Sequence, residues 1–400
     1  MRAVAVVDGE HYAPVVRDAL ASLPYEFVCA YLAGGTEKLR GGEDYGVPVV
    51  HELDDALALV PEVVVDLSDE PVLGPRERFR LASRVLAAGV PYVGADFQLE
   101  PPRFASWGEG VPSIGVIGTG KRVGKTAVAG HLARLYARTR DVVVVSMGRG
   151  GPPEPVVVES PPTLESLLEL SHAGEHAASD YLETAALAGV VTVGCRRAGG
   201  GLAGAVAYDN VVEGAAVAAA RAPDLVVFDG SGASIPPVQV DRRVLVVGPG
   251  QDPAAYLNPY RVLISDLVLL LGGGDAVAVR GLKDVPVARV ELRLRPAEPL
   301  EGRRTAVFTA GPADVSQLDA DVVLASDNLA RREALRADLA RAEADVFLVE
   351  LKAAAIDVVA EAAAARGVRL VLADNDVVSL PGEPDVDALL EALAPEPVAP

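Results

Sequence analysis

Residues 115–129 read GVIGTGKRVGKTAVA, and this stretch decides the fold of the chain. The residues before it, PSIGVIG, have the pattern of a short buried strand, and those after it, KTAVAGHLARLYART, carry apolar residues at helical spacing. A strand, a glycine-rich loop and a helix in this order are typical of a phosphate-binding loop. The loop departs from the common pattern, because five residues rather than four separate Gly118 from Gly124, and Thr119 stands where the first glycine is usual.

The loop predicts an ATP site. The backbone N–H groups of a glycine-rich turn converge on a phosphate at a helix N-terminus, where the helix dipole also favours negative charge. Lys125 is expected to reach the β- and γ-phosphates, and Thr126 is expected to hold Mg²⁺. A glycine turn before an ordinary helix is the alternative interpretation. The predicted nucleotide-binding residues are Gly118, Thr119, Gly120, Lys121, Arg122, Val123, Gly124, Lys125 and Thr126.

A second segment, PDLVVFDGSGASIPP (223–237), supports the same site. An apolar strand that ends in a carboxylate next to a phosphate loop can supply a Mg²⁺ ligand. The loop GTGKRVGKT resembles that of the dethiobiotin synthetase group of P-loop proteins, which has the same extra residue. In that group the second acidic strand usually carries Glu where this chain has Asp229. A buried strand that merely ends in a turn is the alternative interpretation.

The rest of the chain alternates short Val-rich strands with helices, which predicts parallel sheets joined by crossovers. We therefore predict an α/β protein with a central P-loop ATP-binding domain of the dethiobiotin-synthetase type, built on a parallel sheet (107–295). It is flanked by an N-terminal α/β, Rossmann-like domain (1–106) and a C-terminal α/β domain (296–400). The Pro-, Glu- and Ala-rich segment 381–400 is expected to fray.

Arginines among glycines indicate a second anionic substrate. VVVVSMGRGGPPEP carries Arg149 on a glycine loop after an apolar strand, and VVTVGCRRAGGGLAG carries Arg196 and Arg197 in the same way. Strand ends of parallel sheets open onto the ligand crevice, and arginine matches a phosphate with a planar pair of donors. A single such arginine is more often on the surface, but two clusters beside an ATP loop favour anion binding.

These loops extend the resemblance to a narrower family. Over most of its length the chain resembles cyclic 2,3-diphosphoglycerate synthetase. The segments that carry this resemblance are VDGEHY (7–12), MGRGGPPEP (147–155), HAASDYLETAALAG (176–189), GCRRAGGGLAG (194–204), DGSGASIPP (229–237) and ELKAAAIDVV (350–359).

The resemblance implies an ATP- and Mg²⁺-dependent closure of 2,3-diphosphoglycerate to its cyclic diphosphoanhydride, with release of ADP and phosphate. Both substrate phosphates are already largely ionised, so the nucleophile needs no Ser-His-Asp arrangement. Repulsion between two polyanionic substrates is the main obstacle, which positive side chains must offset. We expect Lys125, Arg149, Arg196 and Arg197 to be the catalytic residues, and the three arginines to bind the substrate.

Other polar residues carry weaker signals. His11 follows a strand in VDGEHY and is a candidate substrate ligand, although a lone histidine is more often structural. Glu159 is a candidate for a further Mg²⁺ contact beside Thr126 and Asp229, and Asp180 is a weaker one, since most acidic residues of so acidic a chain are merely solvated. Glu350 and Lys352 follow a strand of the C-terminal domain, where a surface ion pair remains an open interpretation.

Composition excludes several functions. The formal charge of −20 disfavours binding to nucleic acid, because such a surface repels a polyanion. Two distant cysteines predict neither a disulfide framework nor a paired-cysteine metal site, and no apolar run is long enough to cross a membrane. Without a recognisable signal peptide, we expect a cytoplasmic enzyme with small-molecule substrates. The sequence leaves a homodimer open.

Two other functions fit the loop less well. A dethiobiotin-type or amide-forming ligase would use the same ATP site, but paired arginines suit a phosphate better than a carboxylate. A P-loop switch that positions a membrane or DNA partner usually has an early lysine in its loop, followed directly by two glycines. Here Lys121 stands one residue late and is followed by Arg122 and Val123.

Overall fold

The computed structural model describes residues 1–35, 37–174, 177, 179–352 and 355–394. The chain forms two compact units. The first, here called the amino-terminal unit, comprises Met1–Pro102, Asp252–Ile264 and Val277–Asp284. The second, here called the main unit, comprises Arg103–Gln251, Ser265–Ala276 and Val285–Pro400.

Strands and short helices alternate along the chain. The strands are β1 (Arg2–Val7), β2 (Glu26–Leu32), β3 (Val49–Val50), β4 (Val63–Asp66), β5 (Tyr92–Val93), β6 (Gln98–Leu99), β7 (Ser113–Gly118), β8 (Val142–Gly148), β9 (Val156–Val158), β10 (Val191–Ala198), β11 (Tyr208–Asp209), β12 (Leu225–Asp229), β13 (Arg242–Val247), β14 (Leu267–Leu271), β15 (Val287–Pro296), β16 (Arg304–Phe308), β17 (Asp321–Ser326), β18 (Val346–Glu350) and β19 (Arg369–Ser379). The helices are α1 (Ala13–Ser22), α2 (Leu53–Leu57), α3 (Pro75–Ala87), α4 (Lys125–Ala137), α5 (Leu164–His172), α6 (Asp180–Ala188), α7 (Val211–Ala219), α8 (Asn258–Leu263), α9 (Ala276–Arg280), α10 (Arg332–Arg341), α11 (Glu361–Arg366) and α12 (Val386–Glu391), with a π-helix at Ala355–Ala360.

The amino-terminal unit is built on a six-stranded sheet of order β3-β2-β1-β4-β5-β6. Its strands pair in parallel except for β6, which runs antiparallel to β5. The central strand β1 is RAVAVV, and its alanines and valines are buried on both faces, as expected for a strand covered by helices on either side. Because β1 lies between β2 and β4, the strand order reverses there, and the loops after β1 and β4 meet at this point.

The main unit is built on a 13-stranded sheet of order β11-β10-β8-β12-β7-β13-β14-β15-β19-β18-β16-β17, with β9 paired to β10. From β10 to β15 the neighbouring strands are parallel. The antiparallel pairing of β15 with β19 continues the sheet into a second parallel section, from β19 to β17. These observations confirm the predicted α/β fold with a parallel P-loop sheet.

The strand before the phosphate loop, β7, lies between β12 and β13. All six of its residues are buried, and α4 packs against both β7 and β12. The apolar side chains at helical spacing in α4, among them Leu132 and Tyr136, join one core cluster with residues of β7, β12 and β13. This packing fixes the start of α4 at the carboxyl edge of the sheet.

Part of the segment that was expected to fray forms a helix. Helix α12 lies within the segment expected to fray, and Val386, Leu390 and Leu393 belong to the same core cluster as α4. The Tyr136 hydroxyl donates to the Leu390 carbonyl at 2.6 Å. The expectation was therefore wrong for α12, because burial of three apolar side chains outweighs a proline- and glutamate-rich composition.

No helix among the described residues is both long and apolar enough to cross a membrane.

Cys29 and Cys195 are both free and buried. Cys195 lies on β10, under α7, where Gly214 faces it.

The close approach of α7 to β10 depends on Gly214. A Cβ atom at this position would lie 2.2 Å from the Cys195 sulfur, which is too close for any van der Waals contact. We expect Gly214→Ala to lower the free energy of unfolding by ~1–3 kcal/mol through overpacking, even though alanine favours helix. Urea denaturation checks this, with Gly311→Ala as the control, because a Cβ there meets no atom within 4 Å. Equal stability of the two variants would contradict the prediction.

Candidate active site

The phosphate loop depends on two glycines. Gly124, which precedes α4, has a φ of +86°, and a Cβ on it would lie 2.9 Å from Leu271. A Cβ on Gly118 would lie 2.8 Å from the Lys125 side chain, so that side chain passes directly over Gly118. Arg122 also has a positive φ, of 60°, which is uncommon for a residue other than glycine. The loop thus contains two residues in the left-handed region, and one of them is not a glycine.

Lys125 is almost fully buried, with 6% of its surface exposed. Its Nζ donates to the Gly120 carbonyl of the same loop at 2.7 Å. Burial lowers the pKa of the Lys125 ammonium, although the nearby Asp229 and Asp180 carboxylates oppose that effect. A buried ammonium held only by a backbone carbonyl and nearby carboxylates is well placed to bind a phosphate.

Asp229 ends β12 and is 1% exposed. It is in register with Ser146 on β8 and with Val116 on β7, so it lies at the edge of the sheet where the phosphate loop begins. Burial and then the Asp180 carboxylate raise the pKa of Asp229. The nearby Thr126 side chain lowers the pKa of the Asp229 carboxyl group, but it does not outweigh burial.

The surroundings of Asp229 fit a Mg²⁺ ion. Its Oδ1 is buried without a hydrogen-bond partner among the described residues, and so is the Oγ of Ser146 on the adjacent strand. Mg²⁺ in nucleotide sites is usually held by one or two protein oxygens together with substrate phosphates and water. A hydroxyl from Thr126 and a carboxylate from Asp229 are such oxygens.

Glu159, the third predicted Mg²⁺ ligand, has a different partner. It follows β9, and its two carboxylate oxygens accept hydrogen bonds from Arg221 at 2.8 and 2.6 Å. A metal ion would have to displace this ion pair to reach Glu159. Its role as a ligand stays a prediction.

Arg197 joins two motifs that are separate in the sequence. Its guanidinium donates to the Gly199 carbonyl on its own loop, and to the carbonyl and hydroxyl of Ser231 on the loop after Asp229. Its Nε is buried with no hydrogen-bond partner in the described part of the chain. Burial and then the Arg149 guanidinium lower the pKa of Arg197. Arg149 follows Gly148, which pairs with Arg196 on β10, so Arg149 and Arg197 lie at neighbouring strand ends.

Arg196 points elsewhere, because consecutive residues of a strand face opposite sides of a sheet. Its Nε donates to the Pro152 carbonyl at 2.7 Å, and its backbone N–H donates to the Asn210 side chain. The Pro152 segment follows Arg149 directly. Arg196 thus braces the loop that carries Arg149, while Arg149 itself is exposed.

Asp180 interacts electrostatically with several of the other candidate residues. It begins α6, and its carboxylate lies against Gly148 at the end of β8. It acts electrostatically on Lys125, Arg197 and Asp229. Its position was only a weak candidate in the sequence, because nothing local distinguishes it from a solvated carboxylate.

Glu183 lies one turn after Asp180 on α6, and sequence reasoning missed it. Burial raises its pKa to about 7. The i, i+3 spacing of the two carboxylates, after Ser179 at the N-cap position, is the local signal that could have indicated it.

His11 belongs to the amino-terminal unit. Its Nδ1 lies 2.6 Å from Asp8 and its Nε2 lies 3.3 Å from Asp69, so carboxylates flank both ring nitrogens. These residues follow β1 and β4, the two strands at the reversal of the sheet order. The role of His11 as a substrate ligand stays a prediction.

Five predicted residues come together at the carboxyl edge of the main-unit sheet: Lys125, Thr126, Arg149, Arg197 and Asp229. They combine a phosphate loop, a Mg²⁺-compatible pair of oxygens and two guanidiniums. Such a set can hold two phosphorylated ligands and offset the charge between them.

Comparisons with known proteins give matches along most of the chain. The model described as "Cyclic 2,3-diphosphoglycerate synthetase, P-loop domain" matches residues 113–283, and those of the N-terminal and C-terminal domains of the same family match 2–100 and 296–376. A cyclic 2,3-diphosphoglycerate synthetase from Rubrobacter xylanophilus is 48% identical over 95% of each chain. Those from Thermococcus gammatolerans and Methanothermus fervidus are 40% and 38% identical, over 97% and 93% of this chain and 96% and 92% of their own.

Removal of either proposed magnesium ligand should change the response to the metal. We expect Thr126→Ala and Asp229→Asn to raise the Mg²⁺ concentration for half-maximal ATP turnover by roughly 10- to 100-fold, because each weakens placement of the ion. A Mg²⁺ titration of ADP release measures this. Asp319→Asn, at an exposed carboxylate, is the control. An unchanged titration in both site variants would remove these residues from the metal site.

Proposed function

Because the chain belongs to the cyclic 2,3-diphosphoglycerate synthetase family, we propose that it closes 2,3-diphosphoglycerate to cyclic 2,3-diphosphoglycerate with ATP and releases ADP and phosphate. The observation that carries this proposal is the convergence of Arg149 and Arg197 on the edge of the sheet that holds the phosphate loop. A nucleotide alone would need only the loop and its lysine. Two further guanidiniums suit a second phosphorylated substrate, and the buried Nε of Arg197 has no partner among the residues that the structure describes.

The proposed reaction has two steps. An oxygen of one substrate phosphate attacks the γ-phosphorus of ATP, the bond to the β,γ-bridging oxygen breaks, and ADP leaves. An oxygen of the other substrate phosphate then attacks the phosphorus that has become activated, the new anhydride bond breaks, and inorganic phosphate leaves as the ring closes. Each step exchanges one P–O bond for another and needs no redox partner.

The side chains of this chain would lower the cost of bringing the anions together. Lys125 exchanges its bond to Gly120 for the γ-phosphate, and its low exposure strengthens that interaction. Arg197 and Arg149 orient the bisphosphate from the neighbouring strand ends. Thr126 and Asp229 would hold Mg²⁺, which when bound neutralises phosphate charge.

The proposal also covers the substrate, the cellular location, the co-substrate and the metal. The small-molecule substrate is 2,3-diphosphoglycerate, and we place the enzyme in the cytoplasm, where free cysteines such as Cys29 and Cys195 stay reduced. ATP and Mg²⁺ are the proposed co-substrate and metal.

The function is tested by ADP release with and without 2,3-diphosphoglycerate. We expect the bisphosphate to stimulate ADP release by the native chain, and Lys125→Ala to reduce that rate by ~10²–10³-fold, because the lysine binds charge that develops in the transition state. Circular dichroism should show the variant folded, and Lys283→Ala is the control in the other compact unit. ADP release that ignores the bisphosphate would contradict the proposed function, and a normal rate in Lys125→Ala would contradict the role of the lysine.

The two neighbouring arginines should differ. Arg197→Lys keeps the charge but loses the planar pair of donors, so we expect affinity for 2,3-diphosphoglycerate to fall by ~1–3 kcal/mol. Arg196→Lys should have a smaller effect, because its guanidinium faces the Pro152 carbonyl. Calorimetric titration with the bisphosphate and, separately, with a non-hydrolysable ATP analogue measures both affinities. A larger loss in Arg196→Lys, or equal losses for both ligands, would contradict this assignment.

A further inference from the structure

Lys352 is a fourth cation near this site, and it comes from a distant part of the chain. Lys352 follows β18, 169 residues from its partner Glu183 on α6, and its Nζ donates a short hydrogen bond to the Glu183 carboxylate. The Lys352 side chain is 42% exposed and that of Glu183 is 14% exposed, so the lysine reaches from the surface to an enclosed carboxylate.

Lys352 shares a neighbour with the proposed active-site cations. Asp180 acts electrostatically on Lys352, as it does on Lys125 and Arg197. Burial alone would lower the pKa of the Lys352 ammonium, but Glu183, Glu350 and Asp180 together raise it, so the side chain remains charged. The positive charge of Lys352 therefore lies next to Glu183, one helical turn from Asp180 on α6.

Fastening α6 to the C-terminal part of the chain does not require this ion pair. Leu351, the residue before Lys352, is fully buried in a cluster with Ile356 of the π-helix and with Leu182 and Leu187 of α6. These apolar contacts already join the two segments. A partly exposed ion pair at the same place adds little stability, since solvent screens the attraction between its charges.

The charge balance of the site supplies a reason for the lysine. Lys125, Arg149 and Arg197 are matched in number by three carboxylates, those of Asp180, Glu183 and Asp229. Before Mg²⁺ binds, these six side chains alone carry no excess positive charge for two polyanionic substrates. Lys352 supplies one, on a flexible side chain whose carboxylate partner titrates near neutrality, with a pKa of about 7.

We propose that Lys352 is a further anion-binding residue of this site, which exchanges Glu183 for a phosphate of the bisphosphate substrate. The inference rests on the proposed function for the identity of that anion. It gives the C-terminal part of the chain a direct role in binding, and it gives Glu183 the role of holding the ammonium in place while the site is empty.

The test compares Lys352→Met, Glu183→Gln and the double variant. Calorimetry measures the affinity of each for 2,3-diphosphoglycerate and for a non-hydrolysable ATP analogue, and urea denaturation measures stability. We expect Lys352→Met to weaken binding of the bisphosphate about 10-fold or more, the loss of one charge-assisted contact, with the affinity for the ATP analogue nearly unchanged. Lys283→Met, which removes the same charge in the amino-terminal unit, is the matched control.

The two interpretations of the ion pair predict opposite patterns. For an anion-binding lysine, Glu183→Gln binds the bisphosphate as tightly as the native chain or more tightly, and the double variant is as weak as Lys352→Met. For a structural ion pair, Glu183→Gln and Lys352→Met lose affinity and stability equally, and the double variant recovers both, which would overturn the proposal.

Three further cases complete the test. If Lys352→Met does not fold, Lys352→Gln combined with Glu183→Gln keeps a neutral hydrogen-bonding pair, and the same weak binding is expected of it. If the native chain does not bind the bisphosphate, the proposed function fails and the ligand assigned to Lys352 fails with it. If the native chain binds it and the Lys352 variants bind equally well, only the role of Lys352 is wrong.

Discussion

The burial of two opposite charges at one edge of the sheet, the Lys125 ammonium and the Asp229 carboxylate, is the constraint on which the site depends. Each is nearly inaccessible, so burial lowers the pKa of Lys125 and raises that of Asp229, while each charge partly offsets this effect on the other. They lie at the same edge because β12 pairs directly with β7, so the carboxyl ends of both strands are adjacent. Removal of either charge alone would leave the other buried without compensation.

The parts of the site that are local in sequence could be predicted from it. The phosphate loop and Asp229 are encoded by a strand pattern followed by glycine or carboxylate, and parallel pairing then brings strand ends together without any further information. The same rule placed Arg149 and Arg197 at this edge. It could not separate Arg197 from Arg196, because the direction of a side chain on a strand depends on the register of its pairing, which a pair of adjacent arginines does not reveal.

The contributions that sequence reasoning missed are long-range. Glu183 meets Lys352 across 169 residues, and no local pattern connects the two positions. Likewise, α12 forms because it packs on α4, although its own composition favours an irregular end. Both cases involve the C-terminal part of the chain, whose strands join the P-loop sheet through the antiparallel pair β15–β19. This continuity puts a C-terminal lysine within reach of the proposed active site.

The central claim is that the phosphate loop binds ATP while the neighbouring arginines bind the bisphosphate, whose ring then closes. It is tested most directly by ³¹P nuclear magnetic resonance of the reaction mixture. With ATP, Mg²⁺ and 2,3-diphosphoglycerate, the account predicts that the two phosphomonoester signals of the substrate disappear. A coupled pair of phosphoanhydride signals should replace them, with ADP and inorganic phosphate formed in equal amounts. Consumption of ATP with both phosphomonoester signals intact would contradict it.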